Sequence, residues 1–188
     1  MKRIIACMAL IAAGSQCVMA QDVKETTVSF MKADHAAFSG SYNYPKSMVE
    51  KVLADRLAAT GLDHGKSTSG FKRYSETIWT GITDTKGDIY TKVSGSKKNA
   101  VVYVLISKGY DNFISSTTDS GTAAKTKDFL VGLEKDISAY QQQLILEERQ
   151  KELAKQEKKE QDLQKKLDKQ SLELQKAQSA LDATKSKS

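Results

Sequence analysis

Between Gln141 and Ser188 the chain has no glycine, no proline and no aromatic residue. Gln, Lys, Glu, Leu, Ala and Asp make up nearly all of it. Most of these side chains lose little rotamer freedom in a helix. They bring too little apolar bulk to close a core among themselves. Residues 147–188 are therefore expected to form a long helical or coiled-coil tail, built for assembly or reach rather than for chemistry.

Leu153, Leu167, Leu174 and Leu181 share one heptad position, with Glu160 interrupting the series. The companion position holds Gln156, Leu163, Gln170 and Ala177. An apolar heptad is the mark of helices that pair. Leu153, Leu163, Leu167, Leu174 and Leu181 are the expected association seam, for self-association or for an envelope protein. The polar residues within it weaken pairing and restrict register. A single helix is the competing arrangement. Few Glu-to-Lys pairs four residues apart support one, Glu147 with Lys151 being the clearest.

The other end reads as a secretory signal. Lys2 and Arg3 are followed by an apolar run from Ile4 to Ala13, too short to cross a bilayer. Val18-Met19-Ala20 fits a cleavage site, so residues 1–20 are the expected signal peptide and Gln21 the mature start. Lipidation of Cys17 is the competing reading, and bulky Gln16 before it argues against that. Cleavage after Ala20 removes Cys7 and Cys17, the only cysteines. The mature chain then has no disulfide, no thiolate ligand and no cysteine nucleophile. A periplasmic or secreted location follows. No later apolar run suits a membrane-spanning helix.

The formal charge is +6, and losing Lys2 and Arg3 leaves 27 basic against 23 acidic side chains, or +4. So mild an excess, summed over the chain, reads as ordinary solubility more than as a polyanion site.

Residues 21–146 are expected to form one α+β domain, since their number allows a single core. Val28 and Phe30 alternate with polar neighbours, and Ala36 to Tyr42 reads as a second strand. Pro45 can open a helix. Val49, Val52, Leu53 and Leu57 share its apolar face, and Gly61 with Leu62 would close it. Strands follow over Phe71 to Ile82, Ile89 to Val93 and Ala100 to Ile106. They are split by turns at Thr85–Asp88 and Gly95–Asn99, as in an antiparallel meander. The unbroken apolar run at Ala100 to Ile106 marks a central strand. A final helix should begin near Thr122 and pack Leu130, Leu133, Ile137, Tyr140 and Leu144 across a sheet of four to five strands.

These features are similar to an uncharacterised secreted family of Gram-negative bacteria whose members join a small α+β domain to a charged C-terminal coiled coil. The resemblance runs from Ala36 to Leu167. It rests on Tyr44-Pro45 opening a helix with Val49 and Val52, on the Asp88–Val93 and Val101–Ile106 strands, and on the Phe129-Leu130 helix that runs into the Glu/Lys/Gln tail. It implies architecture and export, and carries no activity with it.

No catalytic signature is present. Gly61-Leu62-Asp63-His64-Gly65-Lys66-Ser67 suggests a phosphate loop, but only three residues separate its glycines. A helix precedes it and a strand follows, the reverse of what phosphate binding needs. His35 and His64 each follow an aspartate, Asp34 and Asp63, but adjacent strand residues point apart and no metal-binding spacing occurs. Serines are plentiful without a Gly-x-Ser-x-Gly elbow. Trp79, Tyr74, Tyr90 and Tyr103 could line a binding face, and read more simply as core. No aromatic signature of specific nucleic-acid binding is found. No enzyme, metal or cofactor is expected. The expected function is that of a non-enzymatic exported interaction or assembly protein. A periplasmic holdase-type chaperone and an envelope polymer-binding module are the alternatives.

Overall fold

The computed structural model describes residues 22–110 and 112–185, without the side chains of 181 and 183–185. The expected signal peptide and both cysteines lie outside the described residues.

The protein is α+β, as the sequence predicts. Its strands are β1 (Val23–Phe30), β2 (Ala33–Tyr42), β3 (Lys66–Thr68), β4 (Phe71–Thr77), β5 (Gly87–Gly95) and β6 (Ala100–Ser107). Its helices are α1 (Lys46–Ala59) and α2 (Ser120–Lys185). The strands form one antiparallel sheet in the order β1-β2-β6-β5-β4-β3. Six strands replace the expected four to five. The addition is β3, three polar residues at the sheet edge with no apolar alternation to betray them.

α1 follows Pro45, whose carbonyl accepts from the Met48 and Val49 amides. It ends as its sequence requires. Gly61 takes φ 88°, the Gly61 amide donates to Ala58, and the Leu62 amide donates to Leu57 at 2.9 Å. These two hydrogen bonds satisfy carbonyls that the helix end would orphan, and they tuck Leu62 into the core.

The segment from Phe71 to Ile82 is not one strand. β4 stops at Thr77 after a register shift against β5. Residues 78–86 form a loop that drops Trp79 into the core, fully buried. Its indole N–H donates to Thr60 Oγ1 at 3.1 Å, which meets the polar demand of a buried indole. The turn expected at Thr85–Asp88 is the end of this longer loop.

One face of the sheet is covered by the two helices. Phe38, Val102, Val104, Ile106 and Ile89 meet Val49, Leu53 and Leu57 of α1 and Leu130, Leu133 and Ile137 of α2. A further link is Tyr42, whose hydroxyl donates to the Leu130 carbonyl at 2.7 Å. The helices are pinned to each other by Arg56. Its guanidinium lies 4.6 Å from the Phe129 ring and pairs with Asp136 at 2.6 Å. Gly132 makes room for it, because a Cβ there would stand 2.6 Å from the guanidinium.

The opposite face carries a second, smaller core of Phe30, Ala37, Phe71, Tyr90 and Leu105. β2 pairs with β6 only over Phe38–Tyr42, while it pairs with β1 down to Ala33. The distal half of the β1–β2 hairpin is thus released from β6, and its Phe30 packs on Phe71 and Tyr90. Phe113, bridged to Ser107, joins the same cluster.

Candidate functional site: a helical arm and an open cleft

α2 begins at a built cap. The Asp119 carboxylate accepts from the Thr122 amide at 3.0 Å and the Thr122 hydroxyl at 2.9 Å, and it pairs with Lys108 at 2.9 Å. The Thr122 amide, aided by Lys108, lowers its pKa to about 2. The helix then crosses the sheet, burying Leu130, Leu133 and Ile137, with Tyr140 partly buried. From Gln142 onward every described side chain is exposed. Leu144 is 38 % exposed and Leu146 58 %. The 45 residues from Gln141 to Lys185 project about 68 Å at 1.5 Å each.

The seam residues lie on this arm. Leu153, Leu163, Leu167 and Leu174 are 57–72 % exposed. Leu181 falls in the same helix, with its side chain outside the described part. At about 100° per residue the four described leucines fall within a sector of roughly 80°. Exposed leucines in a row leave apolar surface in water, a cost that a partner would remove.

The second feature is a cleft of about 720 Å³. α1 lies over β5 and β6, α2 over β1 and β2, and neither makes more than marginal contact with β3 or β4. The helix-facing side of β4 is therefore left as a groove floor. Leu53, Ala54 and Leu57 of α1 form one wall, Tyr74, Thr91 and Val93 the floor, and Lys46, Glu50 and Lys72 the rim. Burial pushes the Tyr74 hydroxyl up, against the opposing effect of its hydrogen bond with Thr91. Sequence reasoning missed this cleft, because it results from which strands the helices leave bare.

The other candidates separate. Trp79 and Tyr74 belong to the main core and Tyr90 to the second, with Tyr103 half-buried against it. His35 sits on the second core, 4.1 Å from the Phe113 ring. His64 is exposed beside Asp63. Among the described residues no group of three or more metal-ligating side chains forms, so the two Asp-His pairs do not converge. The Gly61–Ser67 segment is the cap of α1 followed by the turn into β3. Among the described residues, no helix is long and apolar enough to cross a membrane.

Comparison with family models, with curated proteins and with solved structures found no match.

Proposed function

We propose that this chain is a non-enzymatic assembly protein, exported after cleavage near Ala20, in which paired helical arms present the α+β domain. The observation that carries the reading is the exposed leucine series on an arm whose described side chains from Gln142 onward are all exposed. The occupant it commits to is a second copy of the chain. The same heptad column then meets itself, which a shared register allows. Each leucine buried between arms is worth on the order of 2 kcal/mol. Gln156, Glu160 and Gln170 in the seam offset much of that, so a dissociation constant in the micromolar range or weaker is expected, roughly −8 kcal/mol at best.

Sedimentation over a wide concentration range tests it. The unsubstituted chain should associate as concentration rises. Leu167→Asp with Leu174→Asp should remain monomeric with its domain folded. A monomer at every concentration for the unsubstituted chain would rule out self-assembly. Association unchanged in the double variant would move the contact to the domain. Export is tested by intact mass from the native host, which should match a chain beginning at Gln21. A retained Met1, or lipid on Cys17, would refute it.

The cleft favours a second reading, in which the domain binds a small ligand or a stretch of envelope polymer. Its volume and mixed lining suit such a guest. Ala54→Trp should obstruct it from the α1 wall. If the domain captures material from envelope extract, that variant should capture less, and equal capture would exclude the cleft.

A further inference from the structure

The net charge of the chain hides how the arm distributes it. Between Lys151 and Lys176 there are eight lysines and six carboxylates. On a helix of about 100° per residue all eight lysines (151, 155, 158, 159, 165, 166, 169 and 176) fall within a sector of roughly 120°. Asp162 and Glu173 are the only carboxylates of that span in the same sector. The face thus carries eight positive charges against two negative ones, a net +6. The other four carboxylates, Glu152, Glu157, Glu160 and Asp168, lie on the remaining surface. The leucine stripe is centred on the far side from the lysines.

A second observation points the same way. Three carboxylates of the arm, one of them within that span, are held by glutamines one turn earlier: Gln143 donates to Glu147 at 3.1 Å, Gln164 to Asp168 at 2.8 Å and Gln178 to Asp182 at 3.4 Å. Among the described residues no ion pair within 4.0 Å joins any of the eight lysines to a carboxylate. Four-residue spacing to an acid does occur, at Glu147 with Lys151, Lys158 with Asp162, Asp162 with Lys166 and Lys169 with Glu173, yet none of these pairs is closed as helix-supporting ion pairs would be. These are sorted onto one face and left available.

We infer that the lysine face of the α2 arm docks on an anionic lipid surface. The shape chooses lipid over a duplex. From Lys151 to Lys176 the comb runs about 38 Å along a helix with no glycine or proline to bend it. A straight line of charge stays against a plane over its whole length, whereas the groove of a nucleic-acid duplex curves away from a straight helix. Clusters of this many lysines on a helix are what anionic headgroups attract. Long aliphatic stems let the ammonium groups reach the headgroups while the helix axis stays outside. The inference does not depend on self-association, since the leucines occupy the other side. In a paired arm the lysines point outward.

The test is co-sedimentation of the full mature chain with phosphatidylcholine vesicles, with and without phosphatidylglycerol. Binding should be more than tenfold tighter to the anionic vesicles, and should weaken as salt screens the contact. Changing Lys155, Lys158, Lys165 and Lys169 together to Glu should lower it more than tenfold. Changing the same four to Gln, a milder change that keeps helix propensity, should also lower it. Circular dichroism checks that the helix survives in both. Lys97→Glu with Lys98→Glu, in the β5–β6 turn, should leave binding unchanged. The Leu167→Asp, Leu174→Asp chain should still bind, which separates this inference from arm pairing. Equal binding to the two vesicle types would overturn it, as would undiminished binding by the charge-reversed arm. Binding to duplex DNA under conditions where vesicles are not bound would assign the face to nucleic acid instead, and would overturn it too.

Discussion

Phe30, the last residue of β1, and Phe71, the first of β4, meet edge to face with ring centroids 5.2 Å apart. Three strands lie between theirs in the sheet. In a flat sheet, at about 4.8 Å per strand, their backbones would be roughly 19 Å apart. Two phenylalanine side chains cannot bridge that distance. The contact requires the sheet to coil and the distal β1–β2 hairpin to fold over the face that the helices leave open. Phe30→Ala and Phe71→Ala should each cost about 3–5 kcal/mol in denaturant unfolding. A double-mutant cycle should return a coupling of about 1 kcal/mol. Zero coupling would mean that the hairpin does not hold this position in solution.

The tip of that hairpin is built from the wrong residues. Met31 (φ 52°) and Lys32 (φ 70°) both occupy the left-handed region, where two-residue hairpin turns favour Asn-Gly. Met31 is also 64 % exposed, so packing does not explain it. Met31→Asn with Lys32→Gly should stabilise the domain by about 1 kcal/mol. A loss of stability on thermal unfolding would show that the tip is held by contacts this turn does not account for.

Asp119 links the start of α2 to pH. Its pKa is lowered to about 2, first by the Thr122 amide and then by Lys108. A carboxylate depressed in the folded state contributes stability above its ordinary value, and that contribution is lost as pH falls through the depressed one. Stability should therefore fall between about pH 4 and pH 2. Asp119→Asn keeps a capping side chain and should flatten that part of the profile. Asp119→Ala should cost about 1 kcal/mol at neutral pH. An unchanged acid limb in the Asn variant would clear this residue.

A chain from Gln21 to about Gln150 should unfold cooperatively with the same midpoint as one from Gln21 to Ser188, because every described side chain from Gln142 onward is exposed. A molten product, lacking near-ultraviolet circular dichroism, would mean that the arm contributes to the core.

Much of the domain is legible residue by residue. Pro45 and Gly61 bracket α1 because their backbone restrictions act locally. The run from Ala100 to Ile106 reads as central because both its faces are apolar, and both are buried or half-buried. What escapes is non-local. β3 has no apolar residue, so only its pairing with β4 makes it a strand. Trp79 sits among strand-forming residues, and the register shift at Tyr74–Thr77 takes it out of the sheet. The cleft depends on where two helices stop covering a surface. The lysine face is the opposite case: it is written in the spacing of the residues, and summing charge along the chain erases it.

α2 runs without a break from the domain into the arm, and after Gly132 the sequence holds neither glycine nor proline. The arm is therefore geared to the domain. Each residue added or removed between Gln142 and Gln150 would turn the leucine and lysine faces by about 100° relative to the sheet. Where two such arms are joined, the residue count of this stretch decides which sides of the two domains confront each other. Its length is thus a setting in angle as much as in distance. A one-residue insertion there would re-aim whatever the arm holds while leaving every side-chain contact inside the domain intact.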